Sequence, residues 1–182
     1  MPNRFLPAFV WLLLAGIAIP SDQQGVWLDV PFVAQEKNGC GAASIAMVMQ
    51  YWHREQGQST EINVRAIHRV LYSPDARGIH ASDLERYLRE HGFRAYVFKG
   101  EWIDLKHHLQ KGRPLIVALK SGRDDLHYVV ATGFDPQNDL VLKHDPAVRK
   151  LVKQHRAEFE NQWRGADNWT LLALPLSQSS AP

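Results

Sequence analysis

The sequence predicts an α+β domain in which N-terminal helices pack against an antiparallel sheet. Three observations carry this prediction. Apolar residues recur at helical spacing from Gly41 to about Gly92, the pattern then switches to strand-like alternation, and two late apolar runs are joined by a turn of hairpin length.

The elements follow in order. An extended polar segment, "VPFVAQ", precedes a loop and the run "GAASIAMVMQYWHRE", where Ala42, Ile45, Ala46, Met49 and Trp52 share one side and Val48 widens it. That spacing predicts a well-buried helix. "NVRAIHRVLY" predicts a second helix capped by Asn63, and "SPDARG" a loop. In "ASDLERYLREHG", Ser82 and Glu85 match a capping box, Leu84, Tyr87 and Leu88 form the inward stripe, and Gly92 ends the helix. "FRAYVF" alternates as a strand, "EWIDLKHHLQKG" is a short amphipathic helix, and "RPLIVALK" is a strand opened by Pro114. "LHYVVATGF" and "DLVLKHD" are two strands joined by the turn "DPQN". "AEFENQW" predicts a helical turn and "NWTLLALPL" a last strand.

The 182 residues, 45% hydrophobic and 22% charged, suit one ordinary globular domain. A net charge of +2 from interspersed residues of both signs, with no basic tract, argues against nucleic acid as a partner. Residues 1–20 differ from the rest. Arg4 precedes the apolar stretch "FLPAFVWLLLAGIAI", the pattern of a secretory signal, whose 15 residues fall short of a spanning helix. Cleavage after Ala18 would leave Gly16 and Ala18 at the small-residue positions; an uncleaved anchor, with Arg4 inside, is the alternative and the only route to a membrane contact. Both place residues 21–176, the expected domain, outside the cytoplasm, followed by a polar tail at 177–182 expected to be disordered.

Export sharpens the meaning of the single cysteine, Cys40, which lies between Gly39 and Gly41 where a polar segment turns into the first helix. It has no intramolecular disulfide partner. It is a small core residue behind a tight turn, one half of an intermolecular disulfide, or a nucleophile whose thiolate is favoured by the helix N-terminus, with the glycines allowing a sharp turn and substrate approach. A nucleophile attacking an amide carbonyl needs fixed donors for the oxyanion. The Cys40 N–H would be one and the Gln35 side chain, five residues upstream, the other, unless Gln35 is a solvated loop residue.

A base is also needed, and nine histidines are available. His53, His68, His91, His107 and His108 fall in or at the ends of predicted helices among charges, and His80 and His155 near helix starts. His127 differs, because it opens an apolar strand directly after the polar loop "SGRDD", where a scaffold presents functional groups; a core-edge histidine is its structural alternative. An acid must orient its second ring nitrogen. Asp145 ends the strand paired with that of His127 and is followed by Pro146, whereas Asp124 and Asp125 adjoin His127 too closely in sequence to reach the far nitrogen.

In these residues the chain resembles the C39 peptidases, papain-like cysteine peptidases known as leader-cleaving domains of bacteriocin-exporting ABC transporters. The likeness runs from "VPFVAQEKNGCGAASIAMVMQYW" through "LHYVVATGFD" and "LVLKHDP" to "AEFENQWRG". It implies Cys40 as nucleophile, His127 as general base and acid, Asp145 as orienting acid and Gln35 as oxyanion donor. It also implies a peptide or protein substrate and no cofactor. Ala42 stands where many members have proline. The transporter members continue into membrane helices and a nucleotide-binding domain, but this sequence carries no P-loop motif, so ATP use is not expected. Their cytoplasmic setting and double-glycine cleavage do not transfer to an exported domain.

Other functions compete with hydrolysis. An amidase or acyl transferase would use the same residues, an inactive papain-like module would bind peptides or cell-wall material without cutting, and a metal protein would use the histidines, although "KHHL" and "KHD" lack zinc-type spacing. Trp102, Trp163 and Trp169 either line a cleft or belong to the core, and "NWT" at Asn168 is a formal glycosylation sequon.

Overall fold

A computed structural model describes residues 24–58, 61–122 and 125–176. The expected signal at 1–20, the tail at 177–182 and Asp124 lie outside the described residues. A two-residue strand β1 (Val26–Trp27) leads through an extended segment to α1 (Cys40–Glu55), and then to α2 (Val64–Leu71) and α3 (Ala81–Glu90). Strand β2 (Phe93–Lys99) and helix α4 (Trp102–Gln110) precede β3 (Leu115–Ser121), β4 (Asp125–Asp135), β5 (Leu140–Asp145) and β6 (Arg149–His155). Helix α5 (Arg156–Gly165) and β7 (Trp169–Pro175) complete the domain.

Helix α1 is rich in alanine and unbranched apolar residues, which favour helix, and every residue from Gly41 to Met49 is buried. The expected single stripe understates this burial, because α1 is covered on several sides at once by the sheet, α2 and α3. Asn63 caps α2 as expected, its side chain accepting the Ala66 N–H at 3.1 Å. The capping box expected at Ser82 and Glu85 does not form. His80 is the N-cap of α3, the helix starts two residues earlier, and Glu85 instead pairs with Arg89 one turn on. A capping box occurs at α4, between Glu101 and Asp104.

The sheet is antiparallel throughout, in the order β2-β7-β3-β4-β5-β6, with β1 paired to β4 beyond the end of β3. Alternation along the strands divides the core in two. Ala118, Tyr128, Val130, Leu171 and Ala173 face α1 and its neighbours, while Val117, Leu119, Val129, Ala131 and Leu172 face α4 and α5. Strands β1 and β6 have no counterpart in the sequence-based reading, and α5 is a full helix where only a turn is expected. Among the described residues no helix is long and apolar enough to cross a membrane.

Candidate active site

Cys40 is the first residue of α1, a helix start with no side-chain cap and no acidic residue in its first turn. Its free N–H groups therefore leave a partial positive charge beside the thiol. The turn before it is closed by the Gly39 N–H donating to Glu36 O at 2.9 Å, with Asn38 in the left-handed region at φ 59°. The two glycines answer to close packing. A Cβ on Gly39 would stand 3.0 Å from Glu36 O, and one on Gly41 would stand 3.0 Å from the Leu84 side chain, where α1 meets α3.

His127 lies on β4 opposite Leu119, and Asp145 ends β5 next to it. Its Nε2 is 2.7 Å from Asp145 Oδ1, which also accepts the Ala147 N–H at 3.0 Å. Because a carboxylate only accepts, Nε2 carries a proton, and Nδ1 is left for the thiol of Cys40, with which the ring interacts favourably in its charged form. The three side chains thus stand in the order Cys40, His127, Asp145, the last two mostly shielded from solvent.

Their electrostatics agree. Burial alone would keep the imidazole neutral, but hydrogen bonds to Asp145 and Cys40 and the charges of both outweigh it, and the His127 pKa is pushed up to about 9. Burial likewise opposes a thiolate. The His127 hydrogen bond, the backbone N–H groups of Tyr128 and Gly41 and the imidazolium charge overcome that opposition, holding Cys40 below the ordinary thiol value. Asp145 is held below the usual carboxylate range, the contact with His127 outweighing its burial. Both shifts favour a thiolate–imidazolium pair.

Gln35 reaches the site by its backbone. Its N–H donates to Pro146 O at 2.9 Å, immediately after Asp145, and the Glu36–Gly39 turn then returns the chain to Cys40. The side chain is half-buried, and its Oε1 is sealed from solvent without a hydrogen-bond partner among the described residues.

His144, absent from the residues weighed as a base, proves to be structural. It is fully buried, its Nε2–H donates to Val30 O at 2.9 Å, and its Nδ1 accepts the Leu151 N–H at 3.1 Å. It therefore straps the segment leading to Gln35 onto β5. The only hint in the sequence is its place in "LVLKHD", where strand alternation sets His144 on the face opposite Asp145. Trp163 is a core residue, its indole N–H donating to Trp169 O at 3.2 Å, while Arg156 lies 4.5 Å over the Trp102 ring. The Asn168 amide of the sequon already donates to Gly100 O at 2.9 Å. Among the described residues no cluster of three or more His, Cys, Asp or Glu is placed to hold a metal ion.

Fold and family together define a papain-like cysteine peptidase. The chain belongs to the Peptidase_C39 like family, whose model matches residues 27–170. No curated protein matches it. Among solved structures it is similar to a double glycine motif protease from an AMS/PCAT transporter in complex with the leader peptide, at 25% identity and TM-score 0.64, covering 82% of this chain and 94% of that one. The peptidase domain of Streptococcus ComA, a bi-functional ABC transporter of a quorum-sensing pathway, aligns at 21% identity and TM-score 0.63 over 79% and 97% of the two chains. A C39-like peptidase from Bacillus anthracis aligns at 19% and 0.63 over 85% and 100%.

Proposed function

We propose that the protein is an exported thiol peptidase in which Cys40, His127 and Asp145 form the catalytic triad and Gln35 completes the oxyanion hole. The observation that carries this reading is His127, bound at 2.7 Å to the Asp145 carboxylate and electrostatically matched to the Cys40 thiol. The Cys40 thiolate attacks a peptide carbonyl carbon, forming the C–S bond. The oxyanion is held by the Cys40 N–H and the Gln35 amide NH₂. On collapse the C–N bond breaks, and the His127 Nδ1–H gives its proton to the leaving amine. His127 then takes a proton from water as the oxygen attacks the thioester, releasing the acid and restoring the thiolate.

A peptide substrate is supported by family membership and by the relative captured with its leader peptide. Export is supported by the signal-like pattern around Arg4 and the apolar stretch after it. A purely binding module would have no use for a thiolate matched to an imidazolium. The test is incubation of the purified protein with a mixed pool of synthetic peptides, with cleavage read by mass spectrometry. The account expects discrete cuts that vanish in Cys40→Ser while its thermal unfolding stays that of the parent. Cuts that persist in Cys40→Ser, or none in either protein, would count against it.

A further inference from the structure

His127 touches more than the thiol. Together with Asp145 it lines a cavity of about 360 Å³ between α5 and the ends of β3, β5 and β6, and Cys40 is not part of its wall. That volume falls within the range of small-molecule sites, about 300–1,000 Å³. In the proposed reaction the leaving amine must come within hydrogen-bond reach of His127 to be protonated, so the chain attached to that amine continues on the His127 side, away from the acylated sulfur. This cavity opens beside His127.

Its chemistry is one-sided. Lys120, Lys143 and Lys153 contribute three cations, against which stands Glu158, since Asp145 is committed to His127. Lys143 is only 5% exposed, and its ammonium makes no hydrogen bond or close ion pair among the described residues. Burial pushes it below the ordinary lysine range, with the charges of Asp145 and Glu158 opposing the shift. Lys143 lines the cavity, so an ammonium there with no acceptor in contact is a place for a carboxylate from a ligand. Gln154, 9% exposed, makes the complementary demand. Its Nε2 donates to Gln162 Oε1 at 3.0 Å, while its Oε1 is sealed in the wall without a donor. An acidic residue in peptide linkage carries the group the Lys143 ammonium lacks, a carboxylate, and a backbone N–H for Gln154 Oε1 once that amide turns toward the cavity.

We propose that this cavity is the leaving-group subsite and that it receives an aspartate or glutamate within the first two residues after the scissile bond, anchored on Lys143. The proposal rests on the peptidase reading for its place in the reaction, but not for its ligand chemistry. The competing view is that Lys143 serves only as an internal counter-charge to Asp145 and Glu158.

Two measurements decide. In the first, cleavage sites in a synthetic peptide pool are compared for the parent protein, Lys143→Gln and Lys143→Arg. The parent is expected to favour Asp or Glu just after the cut by about tenfold, the worth of one charge-assisted hydrogen bond. The preference should fall to near one in Lys143→Gln and return in part in Lys143→Arg. Cuts without an acidic preference, or a preference that survives Lys143→Gln, would overturn the proposal. In the second, N-acetylglutamate methylamide and its glutamine analogue are titrated into Cys40→Ala, with backbone amide NMR shifts as the readout. Saturable shifts at Lys143 and Gln154 with the glutamate compound alone support the subsite. Equal response to both compounds, or none to either, overturns it. This second arm needs no cleavage and no change at Lys143, so a protein that binds the acid but cuts nothing would sink the peptidase reading and leave the acidic site standing.

Discussion

His127 and Asp145 are 18 positions apart in the chain and 2.7 Å apart in space, joined because the β4–β5 hairpin sets the end of one strand beside the start of the other. The carboxylate fixes the ring so that Nδ1 meets the thiol. It also holds a positive charge on a half-buried imidazole that burial alone would neutralise.

The pH dependence of kcat/KM should be bell-shaped. On the acid side activity is lost as the thiolate is protonated, and because Cys40 titrates below the ordinary thiol value this limb lies below that of a free cysteine. On the alkaline side activity is lost near pH 9, where His127 gives up the proton the leaving amine requires. Both apparent values belong to the coupled pair. A rate profile on any cleaved peptide checks the two limbs; a single limb rising steadily to high pH would exclude the ion pair as the active form.

Asp145→Asn should lower kcat/KM by roughly 10²-fold, the low end of acid–base effects, without abolishing it. A neutral amide stabilises the imidazolium less, so the alkaline limb should also move below the parent's. That shift separates orientation and charge support from simple misfolding, which would reduce the amplitude and leave the limb in place.

Gln35→Ala should cost on the order of 10²–10³ in kcat if the amide holds the oxyanion. Its effect on KM should be smaller, because the interaction develops as the carbonyl becomes tetrahedral. Full activity in this variant would remove Gln35 from the oxyanion hole and leave its backbone bond to Pro146 as its role.

His144→Leu should destabilise the fold. It strands the Val30 carbonyl and the Leu151 N–H, two groups worth about 1–3 kcal/mol each when left unpaired in the interior. In the parent, burial pushes the His144 pKa below its unfolded value, outweighing its backbone hydrogen bonds. The folded state therefore binds that proton less readily than the unfolded chain. The stability contributed by the neutral ring is fully present above about pH 6.5 and declines as the pH falls below it. Thermal unfolding from pH 8 to 5 should show a downward slope in the parent that is reduced in His144→Leu.

Much of this arrangement was legible in the residues. The helix beginning at Cys40, the strands carrying His127 and Asp145 and the turn between those strands all follow from apolar periodicity and turn chemistry. Strand β6 escaped because its signal is absent. Leu151 and Val152 are adjacent, Leu151 takes a left-handed φ of 55° that breaks the alternation, and the buried position is filled by Gln154. The capping box at Ser82 and Glu85 matched a local pattern that the true helix start overrode, while the one that forms, at Glu101 and Asp104, uses an acid as N-cap. The support of Gln35 by Pro146 and the strap made by His144 join residues more than a hundred positions apart, and no local pattern announces such contacts.

The central claim is that Cys40 and His127 rest as a thiolate–imidazolium pair, and the most direct test is the rate of Cys40 alkylation by iodoacetamide against pH, in the parent and in His127→Ala. The account predicts fast reaction persisting well below pH 7 in the parent, and in His127→Ala a shift of the reactive limb toward the free-cysteine value of about 8.5. A parent profile that rises only near that value, unchanged by removal of His127, would contradict it.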